Sequence, residues 1–174
     1  MMLKRIGSCL IALLCIPLLF SACKAEQPQL PNPVVDVDGP EAFVPILGTK
    51  LRALDDADDV SYTAIDNRIA QIQFTYGGNA YSYRAANASE GDISGVYDEF
   101  SDDQVNISLE SDGTSTAILL RFLSDGSRAL ATWNIGENTF SLFSKNTADE
   151  NTVSYVATGL ARLAAAATST PKAS

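Results

Sequence analysis

The sequence contains no histidine, only three cysteines and few basic residues. Histidine is the usual general base near neutral pH and the commonest nitrogen ligand of metals, so the 174 residues lack the side chain on which most acid–base and metal chemistry depends. Hydrophobic residues make up 46% and charged residues 19%, which is typical of a chain with one packed core and excludes global disorder or many membrane spans. The length suits a single globular domain.

The first 23 residues have the three parts of an export signal. Basic residues at positions 4 and 5 precede an apolar stretch from Ile6 to Phe20, and two small residues come directly before Cys23. The segment Leu19-Phe20-Ser21-Ala22-Cys23 resembles the lipobox of bacterial lipoproteins, with Phe20 where leucine is commoner. An uncleaved membrane helix is the alternative, but the 17 residues from Ile6 to Ala22 are at the lower limit for crossing about 30 Å of hydrocarbon.

The lipobox resemblance implies a lipid anchor at Cys23. In that family the cysteine thiol receives diacylglycerol, and the chain is cut before this residue, so we expect residues 1–22 to be a signal peptide. One acyl chain binds a membrane only marginally, whereas two or three give a stable anchor. Cys9 and Cys15 leave with the signal. The processed protein is therefore expected to have no free thiol and no internal disulfide.

The charge balance also indicates which partners the protein is expected to bind. Loss of Lys4 and Arg5 with the signal leaves ten basic residues against 21 acidic ones, a net charge of −11. Such a surface repels phosphate backbones and anionic headgroups, so we expect no nucleic-acid partner. Membrane attachment is expected to come from the lipid and not from a basic patch.

Proline distribution divides the exported part. Residues 23–40 contain four of the seven prolines and predict an extended tether. Residues 41–167 are expected to form an α+β globular domain, and residues 168–174 a disordered tail. Pro40 is a suitable first residue for a helix that runs to Leu47 and is closed by Gly48. Pro45 argues against that helix because it lacks an amide donor.

Alternating apolar residues from position 60 to 85 predict three strands, and turn chemistry sets their register. Gly77-Gly78 is a two-residue hairpin turn, and matching of the apolar faces selects a three-residue loop at 66–68 over a two-residue one. The predicted opposite pairs are Tyr62 with Ile72, Ile72 with Tyr83, and Phe74 with Tyr81.

The same reasoning extends the sheet through residues 105 to 142. Turns centred on Asp112-Gly113 and Asp125-Gly126 predict four pairs: Ile107 with Ile118, Val105 with Leu120, Leu120 with Ala131, and Ile118 with Trp133. A further turn at 136–138 adds Phe140 and Leu142 to the same apolar face. The small side chains of Ala129 and Ala131 mark the place where a helix can approach this sheet most closely.

That helix is predicted at the C terminus. Thr147 and Glu150 match a capping box, and an apolar stripe follows at Val153, Val156, Leu160, Leu163 and Ala167. We therefore predict an α+β fold, a curved antiparallel β-meander of about seven strands packed against a C-terminal amphipathic helix. Residues 86–104 stay open: 92–97 is either an edge strand or a crossover, and 98–103 is expected to be a solvated acidic loop.

Two acidic clusters are the strongest candidates for chemistry. The first cluster, within residues 55–59, suits a hard cation such as calcium, but its spacing does not match an EF-hand loop. The second cluster, within residues 98–103, suits the paired carboxylates of a glycosidase. Such a pair would need an apolar pocket to raise the pKa of one carboxyl group. We favour solvated loops for both, and hence no metal and no catalytic residue. The clusters are Asp55, Asp56, Asp58 and Asp59, and Asp98, Glu99, Asp102 and Asp103.

Other motifs are weaker. The Ser169-x-x-Lys172 pair lies in the predicted tail, where nothing would hold the geometry of a serine nucleophile. Gly77-Gly78 leads into a strand and not a helix, which argues against a phosphate cradle. A sugar-stacking platform is conceivable, but its members share faces with apolar residues and are better explained as core. These are Tyr62, Tyr81, Tyr83 and Trp133. We expect no cofactor.

Beyond the lipobox, five segments are similar to small uncharacterised lipoproteins of gut anaerobic bacteria, although Pro45 departs from their pattern. That resemblance implies the anchor and architecture but no activity. The segments are Asn32-Pro33-Val34-Val35-Asp36, Asp59-Val60-Ser61-Tyr62, Tyr81-Ser82-Tyr83-Arg84, Asp92-Ile93-Ser94-Gly95-Val96-Tyr97 and Ala131-Thr132-Trp133.

These observations favour a membrane-anchored, extracytoplasmic lipoprotein that is not an enzyme and that binds a protein or an envelope component. The alternative is a carrier or sensor of an apolar ligand held between sheet and helix. An enzyme is the third possibility.

Overall fold

The computed structural model describes residues 34–111 and 113–169. Cys23, the predicted signal peptide 1–22, the predicted tether up to residue 33 and residues 170–174 of the predicted tail lie outside the described residues. Asp112, one half of a predicted turn, lies outside them as well.

Within the described residues, eight strands form one antiparallel sheet with the order β1-β2-β3-β4-β8-β7-β6-β5. A 3₁₀ turn at Pro40–Phe43 leads into the short helix α1 (Val44–Leu47), another spans Ala88–Glu90, and α2 covers Glu150–Ser169. The strands are β1 (Val34–Asp36), β2 (Asp58–Ile65), β3 (Ile69–Tyr76), β4 (Asn79–Asn87), β5 (Phe100–Ser111), β6 (Thr114–Leu123), β7 (Ala129–Ile135) and β8 (Asn138–Ser144).

The predicted α+β class is confirmed, and the sheet is built from two meanders. Strands β1–β4 form one and β5–β8 the other, and they meet where β4 pairs with β8, for example Tyr83 with Leu142. A crossover at 88–99 carries the chain from β4 to the far edge. Turn chemistry reports only neighbouring strands, so the long-range β4–β8 pairing was not predicted.

Strand β1 corrects the predicted boundary of the tether. Val34, Val35 and Asp36 pair with Ile65, Ala64 and Thr63 of β2, although they lie within the segment 23–40 that the prolines predicted to be a spacer. Proline is compatible with residues flanking an edge strand, because such a strand needs to donate on one side only. The folded part of the chain therefore begins before residue 41.

The predicted hairpin registers are confirmed. Tyr62 pairs with Ile72, Ile72 with Tyr83 and Phe74 with Tyr81. The loop at 66–68 has three residues, and Asp66 and Asn67 take positive φ values of 52° and 54°, which their side chains tolerate better than most. In the second meander Ile107–Ile118, Val105–Leu120 and Leu120–Ala131 are paired as predicted, whereas the β6–β7 ladder ends at Leu119–Thr132, one step before Ile118–Trp133.

The core lies between the inner face of the sheet and α2. The helix packs across β7 and also contacts β5 and β6, over the fully buried Ala129 and Ala131. The rings of Tyr83, Trp133 and Phe140 stack with centroids 5.7 to 6.2 Å apart. Tyr81, Tyr83 and Trp133 are at most 3% exposed, so their predicted role in the core is confirmed.

The predicted helix after Pro40 is confirmed in two pieces. The 3₁₀ turn and α1 are continuous, and Gly48 ends α1 with a left-handed φ of 73°. The Gly48 amide donates to the Val44 carbonyl at 2.9 Å. Pro45 falls in the first turn of α1, where a helix uses no amide donor, and this removes the objection raised by the sequence.

The predicted cap of α2 was wrong by two residues. Asp149, and not Thr147, caps the helix, because the Thr152 amide donates to Asp149 Oδ1 at 2.8 Å. Thr147 Oγ1 instead accepts from the Asp149 amide at 3.1 Å, just before the helix begins. On the core side Val153, Val156 and Leu160 are fully buried as predicted. Leu163 and Ala167 are only half-buried, and their place is taken by three alanines, Ala157, Ala161 and Ala164.

The structure settles the open segment 86–104. Residues 92–97 belong to the crossover and not to a strand, while Phe100–Asp103 begin β5, so the predicted acidic loop was wrong there. Asp102 and Asp103 are nevertheless exposed. A register irregularity between Phe100 and Gln104 interrupts the pairing, and strand ends of this kind are difficult to recognise from alternation alone.

The crossover covers part of the outer face of the sheet. Arg84 Nη1 donates to the carbonyl of Ile93 at 3.1 Å, and Arg84 Nε donates to Gln71 Oε1 at 2.7 Å. Gln71 in turn donates to Thr63 Oγ1 at 2.9 Å. This polar network connects three strands to the crossover, and desolvation lowers the pKa of the Arg84 guanidinium.

Candidate functional site

A groove of about 580 Å³ lies between residues 54–56 and the outward face of α2. Its helical wall is formed by Asn151, Ser154, Tyr155, Thr158, Gly159, Arg162 and Leu163, and its other wall by Leu54, Asp55 and Asp56. The groove is open to solvent and lined by both polar and apolar groups. Such a shape suits a ligand or a segment of a partner that contributes both kinds of contact.

The two walls approach each other at Gly159. A Cβ atom placed on this residue would lie 2.8 Å from Leu54 Cδ2, so the absence of a side chain lets Leu54 contact the helix. Polar residues recur at 151, 154, 158 and 162, a helical period of three to four that places them on one side of α2. The sequence thus gives α2 a second, largely polar face opposite the stripe that packs on the sheet.

One tyrosine, Tyr155, lines the groove, and a second, Tyr76, lies against it. Tyr155 is 65% exposed and stacks on Tyr76 with ring centroids 5.9 Å apart. The neighbouring Tyr155 hydroxyl, with desolvation and the Asp56 carboxylate as further causes, raises the pKa of Tyr76 to about 12. Tyr76 is therefore a protonated hydrogen-bond donor throughout the physiological range, next to an exposed aromatic ring.

The charged groups of the groove have different environments. Arg52 Nη2 lies 3.1 Å from Asp55 Oδ1 in an exposed ion pair. On the opposite wall the exposed Arg162 forms no ion pair within 34–111 and 113–169. The groove therefore offers a partner both carboxylates and one guanidinium that has no partner among these residues.

The acidic clusters predicted from the sequence are not brought together. Asp55 and Asp56 line the groove, whereas Asp58 and Asp59 begin β2. Among the described residues no group of three or more His, Cys, Asp or Glu is arranged to hold a metal ion. In the second cluster all four carboxylates are exposed, and Asp98 pairs with Arg128 at 3.5 Å. None of them has the enclosed apolar setting that a glycosidase acid requires.

Tyr155 and the helical wall of this groove were not predicted from the sequence. The signal was present as a polar period on α2, but it has the same spacing as an ordinary solvated helix face. Only the approach of residues 54–56, about one hundred positions earlier, turns that face into a concave site.

Searches against family models, curated proteins and solved structures found no match to this chain. In the part of the chain that the structure describes, no helix has the length and apolar character needed to cross a membrane.

Proposed function

We propose that this protein is an extracytoplasmic lipoprotein, anchored in the membrane by a lipid on Cys23. Its folded domain serves as a non-catalytic binding module for a protein or another envelope component. The groove on α2 is the observation that carries the proposal of a binding module, and the lipobox-like segment is the basis for the anchor.

The composition of the groove supports binding in preference to catalysis. Exposed tyrosines are enriched at interaction surfaces because a rigid ring contributes contact area while its hydroxyl forms hydrogen bonds. The Tyr155 ring is held by stacking on Tyr76, so less conformational entropy is lost when a partner covers it. The adjacent Asp55 and Asp56 favour a partner with a neutral or basic contact segment.

The alternative, an apolar ligand between sheet and helix, is less well supported. Side chains such as Ile118, Leu142 and Leu160 are fully buried there. An apolar ligand would need to displace such well-packed groups, and core packing resists this.

The anchor is tested by labelling cells that express the full chain with an alkyne analogue of palmitate. We expect the wild-type protein to take up the label and to fractionate with membranes. The Cys23→Ser variant should lose the label and keep the signal peptide. An unlabelled wild-type protein, or residues 1–22 still attached to it, would rule out the anchor.

The binding role is tested by placing a photo-crosslinking amino acid at Tyr155 of the full chain in the cells that produce it. The matched control carries the same group at Tyr97, which is 97% exposed on the crossover. We expect one discrete adduct from position 155, weakened by Asp55→Asn with Asp56→Asn, and none from position 97. Equal patterns at both positions would contradict a groove-specific partner.

A further inference from the structure

A second cleft, of about 260 Å³, lies beneath the crossover on the outer face of the sheet, opposite α2. Its floor comes from β6, β7 and β8 through Arg121, Thr132, Thr139 and Ser141, and its roof from the crossover through Asp92 and Ile93. With about 30 Å³ for each water molecule, this volume corresponds to roughly nine waters. It suits a compact molecule with a similar number of heavy atoms.

Arg121 lines this cleft and carries the positive charge of its floor. Its guanidinium carbon lies 4.2 Å from the centroid of the Phe100 ring, a cation–π contact that fixes the group by its face. Nε is buried and has no hydrogen-bond partner among the described residues. No carboxylate from 34–111 or 113–169 pairs with Arg121. A guanidinium without an ion-pair partner is best matched by a carboxylate, which can accept from two of its N–H groups.

Three hydroxyl groups lie beside Arg121. Thr132 and Ser141 are directly opposite each other on β7 and β8, and Thr139 lies two residues along β8 from Ser141. In the described chain none of the three side chains forms a hydrogen bond with a protein group, although Ser141 is only 2% exposed. These hydroxyls can donate to an anionic oxygen held by Arg121.

The roof contributes the opposite charge. Asp92 lines the cleft, and its Oδ1 accepts from the Ser94 amide at 2.9 Å, which fixes the carboxylate. A simple anion would be repelled by Asp92, and a simple cation by Arg121. A molecule with both charges satisfies both residues.

The roof is held in place. Arg84 Nη1 donates to the Ile93 carbonyl at 3.1 Å, and a Cβ on Gly95 would lie 2.2 Å from the same nitrogen, so the crossover closely contacts the guanidinium. The cleft is therefore formed by fixed groups and not by a loose loop.

We propose that this cleft binds a small zwitterion of the α-amino acid type. The carboxylate lies against Arg121 and the hydroxyls of Thr132, Thr139 and Ser141, and the ammonium lies against Asp92. This assignment is independent of the groove on α2.

The test is calorimetric titration of the detergent-solubilised full chain with glycine, L-alanine and L-serine, with acetate and ethylamine as single-charge controls. We expect at least one amino acid to bind at least tenfold more tightly than either control. Absence of binding by all three, or equal binding of acetate, overturns the proposal.

Variants locate the site. Arg121→Gln should weaken amino-acid binding at least tenfold. Arg128→Gln is the matched control, because Arg128 also lies over a ring, that of Phe143 at 5.5 Å, but outside the cleft; it should leave binding unchanged. Asp92→Asn, an exposed change that spares the core, should shift the preference towards acetate. Unchanged selectivity in Asp92→Asn contradicts the proposal even if Arg121→Gln fails to fold.

Discussion

The two faces of the sheet are covered in different ways. The inner face is apolar and aromatic and packs against α2, a regular helix with buried Val153, Val156 and Leu160. The outer face carries hydroxyl, amide and guanidinium groups and is partly covered by the irregular crossover. Burial of apolar area holds the first cover in place, whereas specific hydrogen bonds hold the second.

This difference explains why the proposed sites lie where they do. Close packing of apolar side chains on the inner face leaves no space for a ligand there. The outer face and the outward side of α2 carry unsatisfied or exposed polar groups on a rigid support. We therefore expect ligand binding on the outer face of the sheet and on the outward side of α2, and not within the core.

The largest effect is expected on the inner face. Trp133→Ala removes a buried ring that stacks on Tyr83 and Phe140 and should lower the free energy of unfolding by about 3–5 kcal/mol. Trp133→Phe should cost less than half as much, because Trp133 Nε1 has no partner among the described residues and leaves no lost hydrogen bond. Chemical denaturation followed by far-UV circular dichroism measures both. Equal losses would show that ring size is not what stabilises this face.

An intermediate effect on stability is expected in the crossover, which covers part of the outer face. Gly95 and Gly126 have similar positive φ values of 66° and 68°, but only at Gly95 would a Cβ meet another group, Arg84 Nη1 at 2.2 Å. Gly126→Ala should cost about 1–2 kcal/mol from backbone strain alone, and Gly95→Ala about 1 kcal/mol or more beyond that.

The same pair of variants separates the two faces. In Gly95→Ala, hydrogen exchange should rise in the crossover while the emission of Trp133, the only tryptophan, stays unchanged. Altered tryptophan emission would show that the two covers are coupled through the sheet.

The smallest effect on stability is expected at the N terminus of α2, the helix that covers the inner face. Asp149→Ala removes two hydrogen bonds to Thr152 and should lower the Tm by a small amount, and Thr147→Ala by less. Hydrogen bonds from the Thr152 side chain and amide lower the pKa of the Asp149 carboxyl below its ordinary 3.8. Its contribution to stability is thus complete above pH 3.8 and is lost as the pH falls through the lower folded value.

Asp149→Asn isolates this titration, because asparagine also caps helices but carries no charge. We expect the thermal stability of this variant to depend less on pH below about 4 than that of the wild type. An identical pH profile would contradict the assigned role of Asp149.

Features that depend on residues close together in the chain could be predicted from the sequence. Alternation and glycine turns gave the hairpin registers, such as Phe74 with Tyr81, since a shift of one residue would turn the apolar side chains to solvent. Long-range pairing was beyond those rules, which is why β1 and the β4–β8 contact were missed. The cap of α2 was misplaced because Thr147 and Asp149 both suit that position.

The candidate sites were less predictable than the fold. Both are formed by segments that are distant in sequence: Leu54 with Gly159 in the groove, and Asp92 with Thr132 in the cleft. Their polar residues follow the same periods as ordinary solvated faces. Only the tertiary approach of a second segment distinguishes them.

The position of the edge strand β1 also limits how far the folded domain can lie from a lipid anchor. In a protein anchored at Cys23, the eleven-residue interval to Val34 spans at most about 40 Å when fully stretched, and any pull from the bilayer enters the domain through the β1–β2 hydrogen bonds. A lipid on Cys23 and the edge strand β1 would together keep both proposed binding surfaces near the membrane.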